Sequence, residues 1–167
     1  HANNTYELMR KKAETCIEKF VKENGKQFSE VEYVEKYFEV AFRKDILVNG
    51  RIDLIRRKNI EGKWEVIIVD YKTGERKPSE LEQRLQLEIY ALGYKKLTGQ
   101  DADVLEIVDI EGNEVVSSRA VLPDNLEDTA ERIRDACDEI LDNNNVKRVC
   151  EKNKCKNCNH RLMCYSL

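Results

Sequence analysis

The sequence contains no long hydrophobic run and very little histidine. No apolar stretch within its 167 residues approaches the roughly 20 residues that a membrane-spanning helix needs, and no signal peptide is visible. We therefore expect a soluble, cytoplasmic protein with no membrane partner. Histidine occurs only as His1 and His160, so imidazole chemistry is limited to these two residues. No internal repeat is visible, and the length suffices for one hydrophobic core.

The charge balance argues against a surface that coats nucleic acid uniformly. Charged residues make up 37% of the sequence, yet the net charge is −3. Basic residues concentrate in residues 146–167, where one acid, Glu151, accompanies Lys147, Arg148, Lys152, Lys154, Lys156 and Arg161. This end could contact phosphates, or it could be an ordinary solvated surface.

An acid and an amine follow the most strand-like run in the sequence. Residues 66–69 read Val-Ile-Ile-Val, which predicts a strand buried on both faces, and Asp70 ends it. A buried carboxylate costs several kcal/mol unless it is paired or bound to metal, so Asp70 needs a partner. Strand alternation places Asp70 and Lys72 on one face and Tyr71 on the other.

A second acid lies on the preceding predicted strand. Residues 51–56 alternate like a strand, and residues 58–63 read as a hairpin loop, which would bring Asp53 opposite Asp70. Two carboxylates and the backbone carbonyl of Tyr71 would supply the hard oxygen ligands that Mg²⁺ or Mn²⁺ prefers. Lys72 would then lie beside the attacking water or neutralise charge on a phosphate. This is the arrangement of a metal-dependent phosphodiesterase.

Three motifs in this region carry a family resemblance: Gly50-Arg51-Ile52-Asp53, Asp70-Tyr71-Lys72-Thr73-Gly74 and Gln86-Leu87-Glu88-Ile89-Tyr90. They resemble the PD-(D/E)XK nucleases, in particular the RecB-like branch, which includes RecB, AddB, CRISPR-associated exonucleases and nuclease domains fused to Rep/UvrD-type helicases. An Asp-x-Lys alone would be weak evidence, whereas three motifs in order are specific.

The resemblance implies a fold, an activity and residue roles. The fold would be α/β, a mixed central β-sheet flanked by helices with a restriction-endonuclease-like core. Asp53 and Asp70 would bind metal, Lys72 would assist the attacking water, and Gln86 and Tyr90 would contact DNA or hold the lysine. The reaction would be hydrolysis of DNA, often at single-stranded ends, in DNA repair or recombination, with a fused or associated helicase as partner.

Each motif also has a structural interpretation. Asp53 and Asp70 could form salt bridges with Arg51 or Lys72, and Gln86 and Tyr90 could be a packed pair one helical turn apart. The chain could then be a catalytically inactive nucleic-acid-binding or scaffolding module that keeps the nuclease fold. A zinc-ribbon-tailed interaction domain would explain the cysteines but not the acids at the strand ends.

The predicted element order is α, β, β, β, α, β, β, α, followed by a cysteine-rich end. We expect residues 1–145 to form the core and residues 146–167 a metal-binding tail packed on it. The second helix should begin at a capping box formed by Ser79 and Glu82 and end at Thr98 and Gly99. Its core-facing stripe should be Leu81, Leu85, Ile89 and Leu92.

Four of the six cysteines lie near the C-terminal end, at positions 150, 155, 158 and 164. In a cytosolic protein this density favours metal over disulfides. The spacing of Cys155, Cys158 and Cys164 resembles the C-terminal triplet of iron–sulfur members of the RecB-like family, which hold a 4Fe-4S cluster. Zn²⁺ is the competing metal, and His160 could replace one thiolate.

The fourth cluster ligand has two candidates. The family takes it from a distant cysteine upstream of the nuclease motifs, and here only Cys16 fits that description. Cys150 is close to the triplet, whereas Cys16 lies on the apolar stripe of the first helix, where a cysteine packs well as a small core residue. We therefore favour Cys150. Cys137 reads as a core residue by the same argument.

His1 is a candidate for a further ligand of the active-site metal. RecB-like nucleases often carry a histidine on the first helix before the second motif, and His1 begins the first helical segment. It could equally be the remnant of a purification tag. The sequence opens inside a helix without a start signal, which suggests a domain excised from a longer protein.

Overall fold

The computed structural model describes residues 2–73, 79–142, 155–156 and 158. Residues 2–4 are described by their backbone alone. The elements in order are α1 (Ala2–Asn24), a 3-10 helix (Gly25–Glu30), β1 (Val31–Arg43), β2 (Ile46–Ile60), β3 (Lys63–Lys72), α2 (Glu80–Thr98), β4 (Val104–Asp109), β5 (Glu114–Ala120) and α3 (Pro123–Leu141). The predicted element order is confirmed. Among the described residues, no helix offers a stretch apolar enough to cross a bilayer.

The strands form one mixed sheet in the order β1-β2-β3-β4-β5. Only β3 and β4 are parallel, and α2 is the crossover between them. The remaining neighbours are antiparallel. The predicted fold class, a mixed sheet flanked by helices, is confirmed.

The two faces of the sheet carry separate apolar clusters. Ile68 belongs to the larger cluster, which includes Leu87 of α2. Its neighbours Ile67 and Val69 belong to the smaller cluster. Because adjacent strand residues point to opposite faces, β3 is buried on both sides, as its β-branched run predicts. On the second face, Phe20 of α1 packs edge-on against Tyr71, with ring centroids 5.6 Å apart.

The chain divides into two compact units at Arg132 and Ile133, within α3. The first unit contains α1, the sheet, α2 and the beginning of α3. The second contains the rest of α3 and the described tail residues, where the backbone N–H of Cys158 donates to the carbonyl of Cys155 at 3.3 Å. The predicted domain boundary at residue 145 lies outside the described residues and stays a prediction.

The hairpin between β2 and β3 is tighter than the predicted loop of residues 58–63. Glu61 and Gly62 both have positive φ angles, 52° and 88°, which is the geometry of a two-residue hairpin turn. The pairing therefore continues to Ile60 opposite Lys63. The expected six-residue loop is wrong because this left-handed pair reverses the chain within two residues.

Helix α2 begins and ends where predicted. Both hydrogen bonds of the Ser79–Glu82 capping box form, and Gly99 ends the helix in the left-handed region at φ 73°. The predicted core stripe is partly wrong, because Leu81 is 56% exposed. The buried positions of α2 are Leu87, Glu88, Ala91, Gly93 and Tyr94.

Small residues explain this difference, because they let α2 approach the sheet closely. A β-carbon added at Gly93 would lie 2.6 Å from two ring carbons of Phe38 on β1. The helix therefore presents Ala91 and Gly93 to the sheet, while Ile89 and Leu92 pack around them as partly buried residues. A ranking by hydrophobicity favours the leucines and misses this contact.

Gly93→Ala should destabilise the protein by about 1–3 kcal/mol, because the added methyl group overpacks Phe38. Urea unfolding of the variant and the parent measures the difference. Gly25→Ala is the matched control, since nothing lies within 4 Å of a β-carbon built at Gly25. If the two variants unfold at the same urea concentration, the close approach of α2 to β1 is not a packing constraint.

Candidate active site

The C-terminal end of β3 places Asp70 and Lys72 side by side. Asp70 follows the buried residues 66–69 and is itself only 2% exposed. Lys72, two residues further along the same strand face, brings its Nζ to 2.6 Å from Asp70 Oδ2. The predicted partner of the buried carboxylate is therefore present, and 28% of the lysine side chain remains exposed.

Asp53 lies where β2 separates from β3. The pairing of β2 with β3 extends from Ile60 only as far as Leu54 opposite Val69, whereas β2 continues to pair with β1 down to Ile46. Asp53 is the first residue beyond this fork, and its Oδ2 accepts a hydrogen bond from the backbone N–H of Tyr71 at 2.9 Å. This bond fixes the Asp53 carboxylate beside the end of β3.

The strand phase also changes at Asp53. Ile52 belongs to the cluster on the α2 face and Leu54 to the cluster on the opposite face, although regular alternation would place both on one face. The irregularity turns Asp53 toward the edge of the fork. Asp53 and Asp70 were predicted to lie opposite each other. In the structure, the two carboxylates lie at the opening where β2 and β3 diverge.

Gln86 of α2 connects the residues of β3 to Tyr90. Its Oε1 accepts a hydrogen bond from Lys72 Nζ at 2.9 Å, and its Nε2 donates to Asp70 Oδ1 and to the Tyr90 hydroxyl, both at 2.9 Å. Chemistry fixes this orientation, because the ammonium group can only donate and the carboxylate can only accept. Gln86 therefore holds the acid and the amine in one geometry.

Burial dominates the electrostatics of the site. Desolvation raises the pKa of Asp70, the hydrogen bond and the charge of Lys72 lower it, and the charge of Asp53 raises it further. Burial also raises the pKa of Tyr90, the hydrogen bond from Gln86 lowers it, and the negative charges of Asp53, Asp70 and Glu35 add to the increase. The site is thus a partly dehydrated cluster in which carboxylates outnumber the one ammonium group.

These residues fit a hard divalent cation. Asp70 Oδ2 is buried, and the Lys72 ammonium group at 2.6 Å is the described group that it contacts. With Asp53 beside it, the site offers the anionic oxygens that Mg²⁺ and Mn²⁺ prefer. In the described ranges, no group of three or more histidine, cysteine, aspartate or glutamate side chains is arranged to hold a metal. Such a cation would keep water ligands, as Mg²⁺ commonly does.

The structure thus brings together five of the predicted site residues: Asp53, Asp70, Lys72, Gln86 and Tyr90. The predicted metal ligand His1 lies outside the described residues. Tyr71 contributes its N–H to Asp53, and the proposed role of its carbonyl stays a prediction. The assignment of catalytic and metal-binding roles likewise stays a prediction.

The cysteine motif is described only in part. Cys150 and Cys164 lie outside the described residues, whereas Cys155 is partly buried and Cys158 exposed. Cys16 is partly buried, and its thiol donates a hydrogen bond to the backbone carbonyl of Ile110 at 3.3 Å. This contact agrees with a packing role for Cys16 in the first unit.

Sequence reasoning missed Glu35 on β1. The pairs Val34 with Leu54 and Lys36 with Ile52 place Glu35 across from Asp53, and it adopts a left-handed φ of 51°. Arg51, considered above as a partner of Asp53, instead pairs with Glu35 at 3.6 Å. The available signal was the apolar pattern of β1, which shifts from odd to even positions between Tyr33 and Phe38.

The opposite face of the sheet carries a second polar cluster. Arg56 is 8% exposed, and its guanidinium donates to Glu106 and to Gln27 of the 3-10 helix, both at 2.6 Å. These groups line a cavity of about 270 Å³ that Tyr71 and Phe20 also border. Because the buried charge is paired, this cluster reads as an anchor for the segment after α1.

Comparison with known proteins agrees with the fold. A solved structure from Eubacterium rectale, of a protein provisionally assigned as an exonuclease, is similar with a TM-score of 0.56 and 15% sequence identity. The match covers 92% of this chain and 59% of that one, so this chain spans less than two thirds of its length. At this identity, the likeness shows a shared fold.

The sequence comparisons differ in what they find. No curated protein matches this sequence. The model of the PD-(D/E)XK nuclease superfamily matches residues 2–165. Because this match covers nearly the whole sequence, the chain belongs to the PD-(D/E)XK nuclease superfamily.

Proposed function

We propose that the chain is a metal-dependent deoxyribonuclease that hydrolyses phosphodiester bonds in single-stranded DNA or at DNA ends. The observation that supports this most is the continuous set of contacts from Lys72 through Gln86 to Asp70, next to Asp53 at the strand fork. An inactive module has no need for a buried, desolvated acid held beside an amine. A carboxyl group whose pKa is raised by burial, next to a charged partner, is typical of catalytic sites.

The cofactor in this proposal is Mg²⁺ or Mn²⁺, held by Asp53, Asp70 and the carbonyl of Tyr71. Bound there, the ion would polarise the phosphate and lower the pKa of water. The superfamily typically uses divalent cations, and Asp53 and Asp70 supply adjacent anionic oxygens of the kind that such ions bind.

Lys72 and Tyr90 would act on the reacting groups. The ammonium group carries three hydrogens, and its described contacts are with Asp70 and Gln86, which leaves one N–H for the attacking water or a phosphate oxygen. Water forms the new bond to phosphorus, the bond to one ester oxygen breaks, and that oxygen takes up a proton. Tyr90 keeps its own proton because burial raises its pKa, so its hydroxyl can donate to a phosphate oxygen.

Cleavage of labelled oligonucleotides tests this function. We expect degradation of single-stranded DNA with Mn²⁺ or Mg²⁺ and none with a chelator. Matched linear and circular DNA separate action at ends from internal cleavage, and matched RNA tests the choice of sugar. If the folded protein binds DNA yet cleaves neither DNA nor RNA with either metal, it is an inactive binding module and the proposal is wrong.

A helicase is the partner we propose, fused or associated, with a role in DNA repair or recombination in the cytoplasm. The support is the resemblance of the three motifs to nuclease domains attached to Rep/UvrD-type helicases. The related Eubacterium rectale chain is longer than the segment matched here, which agrees with a nuclease domain that occurs within larger proteins.

We also propose a 4Fe-4S cluster at Cys150, Cys155, Cys158 and Cys164, with Zn²⁺ as the alternative metal. The support is the spacing of the last three cysteines and the turn that joins Cys155 to Cys158. The contact between Cys16 and Ile110 favours Cys150 as the fourth ligand.

Cys158→Ser should remove the metal and lower the melting temperature, because binding free energy at such a site is folding free energy. Iron, sulfide and zinc analysis of anaerobically purified protein, with its visible spectrum, measures the loss. Cys137→Ser is the control and should keep the metal. Loss of the cluster from Cys16→Ser but not from Cys150→Ser would contradict the local assignment.

A further inference from the structure

A loosely held ion pair lies at the mouth of the site and has no part in the proposed chemistry. Arg51 Nη1 lies 3.6 Å from Glu35 Oε2, and the two side chains are 63% and 58% exposed. An exposed pair with this separation is weak and shifts an equilibrium by roughly fivefold or less. Arg51 can therefore leave Glu35 for a stronger partner at small cost.

The backbone fixes this pair next to the catalytic residues. Arg51 is two residues before Asp53 on β2, and Glu35 lies across from Asp53 on β1. The charge of Glu35 acts on the buried hydroxyl of Tyr90, together with those of Asp53 and Asp70. The pair thus lies beside the fork at Asp53, close enough for its charges to act on the site.

The charge at this opening requires a compensating cation when a polyanion binds. Glu35, Asp53 and Asp70 carry three negative charges, whereas Lys72 already pairs with Asp70. The proposed divalent cation would offset Asp53 and Asp70, but Glu35 would still repel a phosphate backbone that approaches this opening unless another positive group meets it. Arg51 is exposed, always charged, and presents a planar fork that suits phosphate oxygens.

We propose that Arg51 is a positioning residue that binds a backbone phosphate of the DNA strand entering the site, and that Glu35 competes with this phosphate for Arg51. A strand that lacks a phosphate at this position cannot displace Glu35 from Arg51, so it binds more weakly. The inference rests on the proposed nuclease function, because it names the group that holds the substrate of the same site.

The sheet fixes the backbone of Glu35 in a left-handed conformation. A glutamate at φ 51° is unusual, and the regular pairs on either side of it keep this conformation. Replacement by glutamine preserves the β-carbon and removes only the charge. Glu35→Gln is therefore the variant that separates charge from backbone effects.

Binding of a short fluorescein-labelled single-stranded DNA tests the proposal. Anisotropy is measured with Mn²⁺ in a Lys72→Ala background, so that binding is followed without cleavage. Arg51→Gln should weaken binding on the order of tenfold and reduce the slope of log affinity against log salt by about 0.7. Glu35→Gln should tighten binding by roughly two- to fivefold, because Arg51 is released.

The double variant decides whether Glu35 acts through Arg51. If it does, Glu35→Gln has no effect in the Arg51→Gln protein. An equal tightening in both backgrounds would mean general repulsion and would overturn the proposal. Arg10→Gln removes an exposed arginine that pairs with Glu7 and Glu14 on α1, so it is the control for net charge. Equal binding by Arg51→Gln and Arg10→Gln would also overturn it.

These outcomes are distinct from failure of the nuclease function. Cleavage by the parent protein tests catalysis, whereas anisotropy measures only the affinity for DNA. A parent that binds DNA through Arg51 but never cleaves it refutes the nuclease and supports the positioning role. If the parent cleaves DNA and the Arg51→Gln variant has the same KM, the nuclease function is supported and the positioning role is refuted.

Discussion

Replacing Lys72 with alanine should reduce Mn²⁺-dependent DNA cleavage about 10³-fold, which corresponds to roughly 4 kcal/mol of activation free energy. The ammonium group is the donor nearest the buried Asp70 carboxylate, and Gln86 holds it there. Asp70→Asn should have an effect of similar size, because it removes an anionic ligand while Asn can still accept the hydrogen bond from Gln86. Single-turnover cleavage of labelled single-stranded DNA measures both losses.

The controls for this prediction separate catalysis from folding. Lys95→Ala removes an exposed lysine of α2 that pairs with Asp101, so it changes the net charge equally and should keep full activity. Circular dichroism and thermal unfolding verify that each variant is folded. Cleavage by folded Lys72→Ala and Asp70→Asn at the rate of the parent would mean that the activity does not use this site.

Divalent metal should stabilise the parent protein strongly and the site variants hardly at all. A ligand that binds only the folded state at a hundred times its Kd adds about 2.7 kcal/mol. For a chain of this size, that corresponds to a rise in Tm of about 5–10 °C. Differential scanning fluorimetry with Mn²⁺ measures the shift, and Asp53→Asn and Asp70→Asn should lose most of it. An equal shift in all three proteins would place the metal elsewhere.

The same shift should depend on pH. Burial raises the pKa of Asp70, so the metal-free folded protein binds the Asp70 proton more tightly than the unfolded chain does. That contribution to stability is present at low pH and is lost as the pH rises through the raised pKa. Metal needs the carboxylate, so the rise in Tm should grow as the pH increases through the same interval. A metal shift that is constant with pH would mean that Asp70 is not a ligand.

Local patterns were sufficient to predict the acid and amine of the site. The spacing of Asp70 and Lys72 depends only on the alternation of a strand, and the unusual feature was an acid at the end of a β-branched run. The Ser79–Glu82 capping box and the Gly99 terminus of α2 are equally local, and both form as predicted.

Tertiary effects account for what was missed. The burial of Ala91 and Gly93 goes with the close contact of Gly93 with Phe38, which depends on two elements meeting. Glu35 was overlooked because the shift in the apolar pattern of β1 marks an irregularity but does not show which residue adopts the left-handed conformation. The fork at Asp53 arises because β2 pairs with β1 and β3 over different lengths, which only the assembled sheet reveals.

Gln86 illustrates the difference between predicting a residue and predicting its contacts. The motif indicated that Gln86 supports either the substrate or Lys72. The structure shows one amide that contacts Lys72, Asp70 and Tyr90 together. Helical spacing predicts the neighbourhood of Gln86 and Tyr90, whereas the link to β3 depends on how α2 lies on the sheet.

The most direct test of the central claim is the cleavage rate of single-stranded DNA by one protein sample taken through three states. The sample is assayed with Mn²⁺, then with a chelator in excess, and then with Mn²⁺ restored, beside an Asp70→Asn sample treated identically. The account predicts cleavage by the parent in the first and third states only, and none by the variant in any state. Cleavage that persists in the chelator, or that the variant performs as well as the parent, would contradict it.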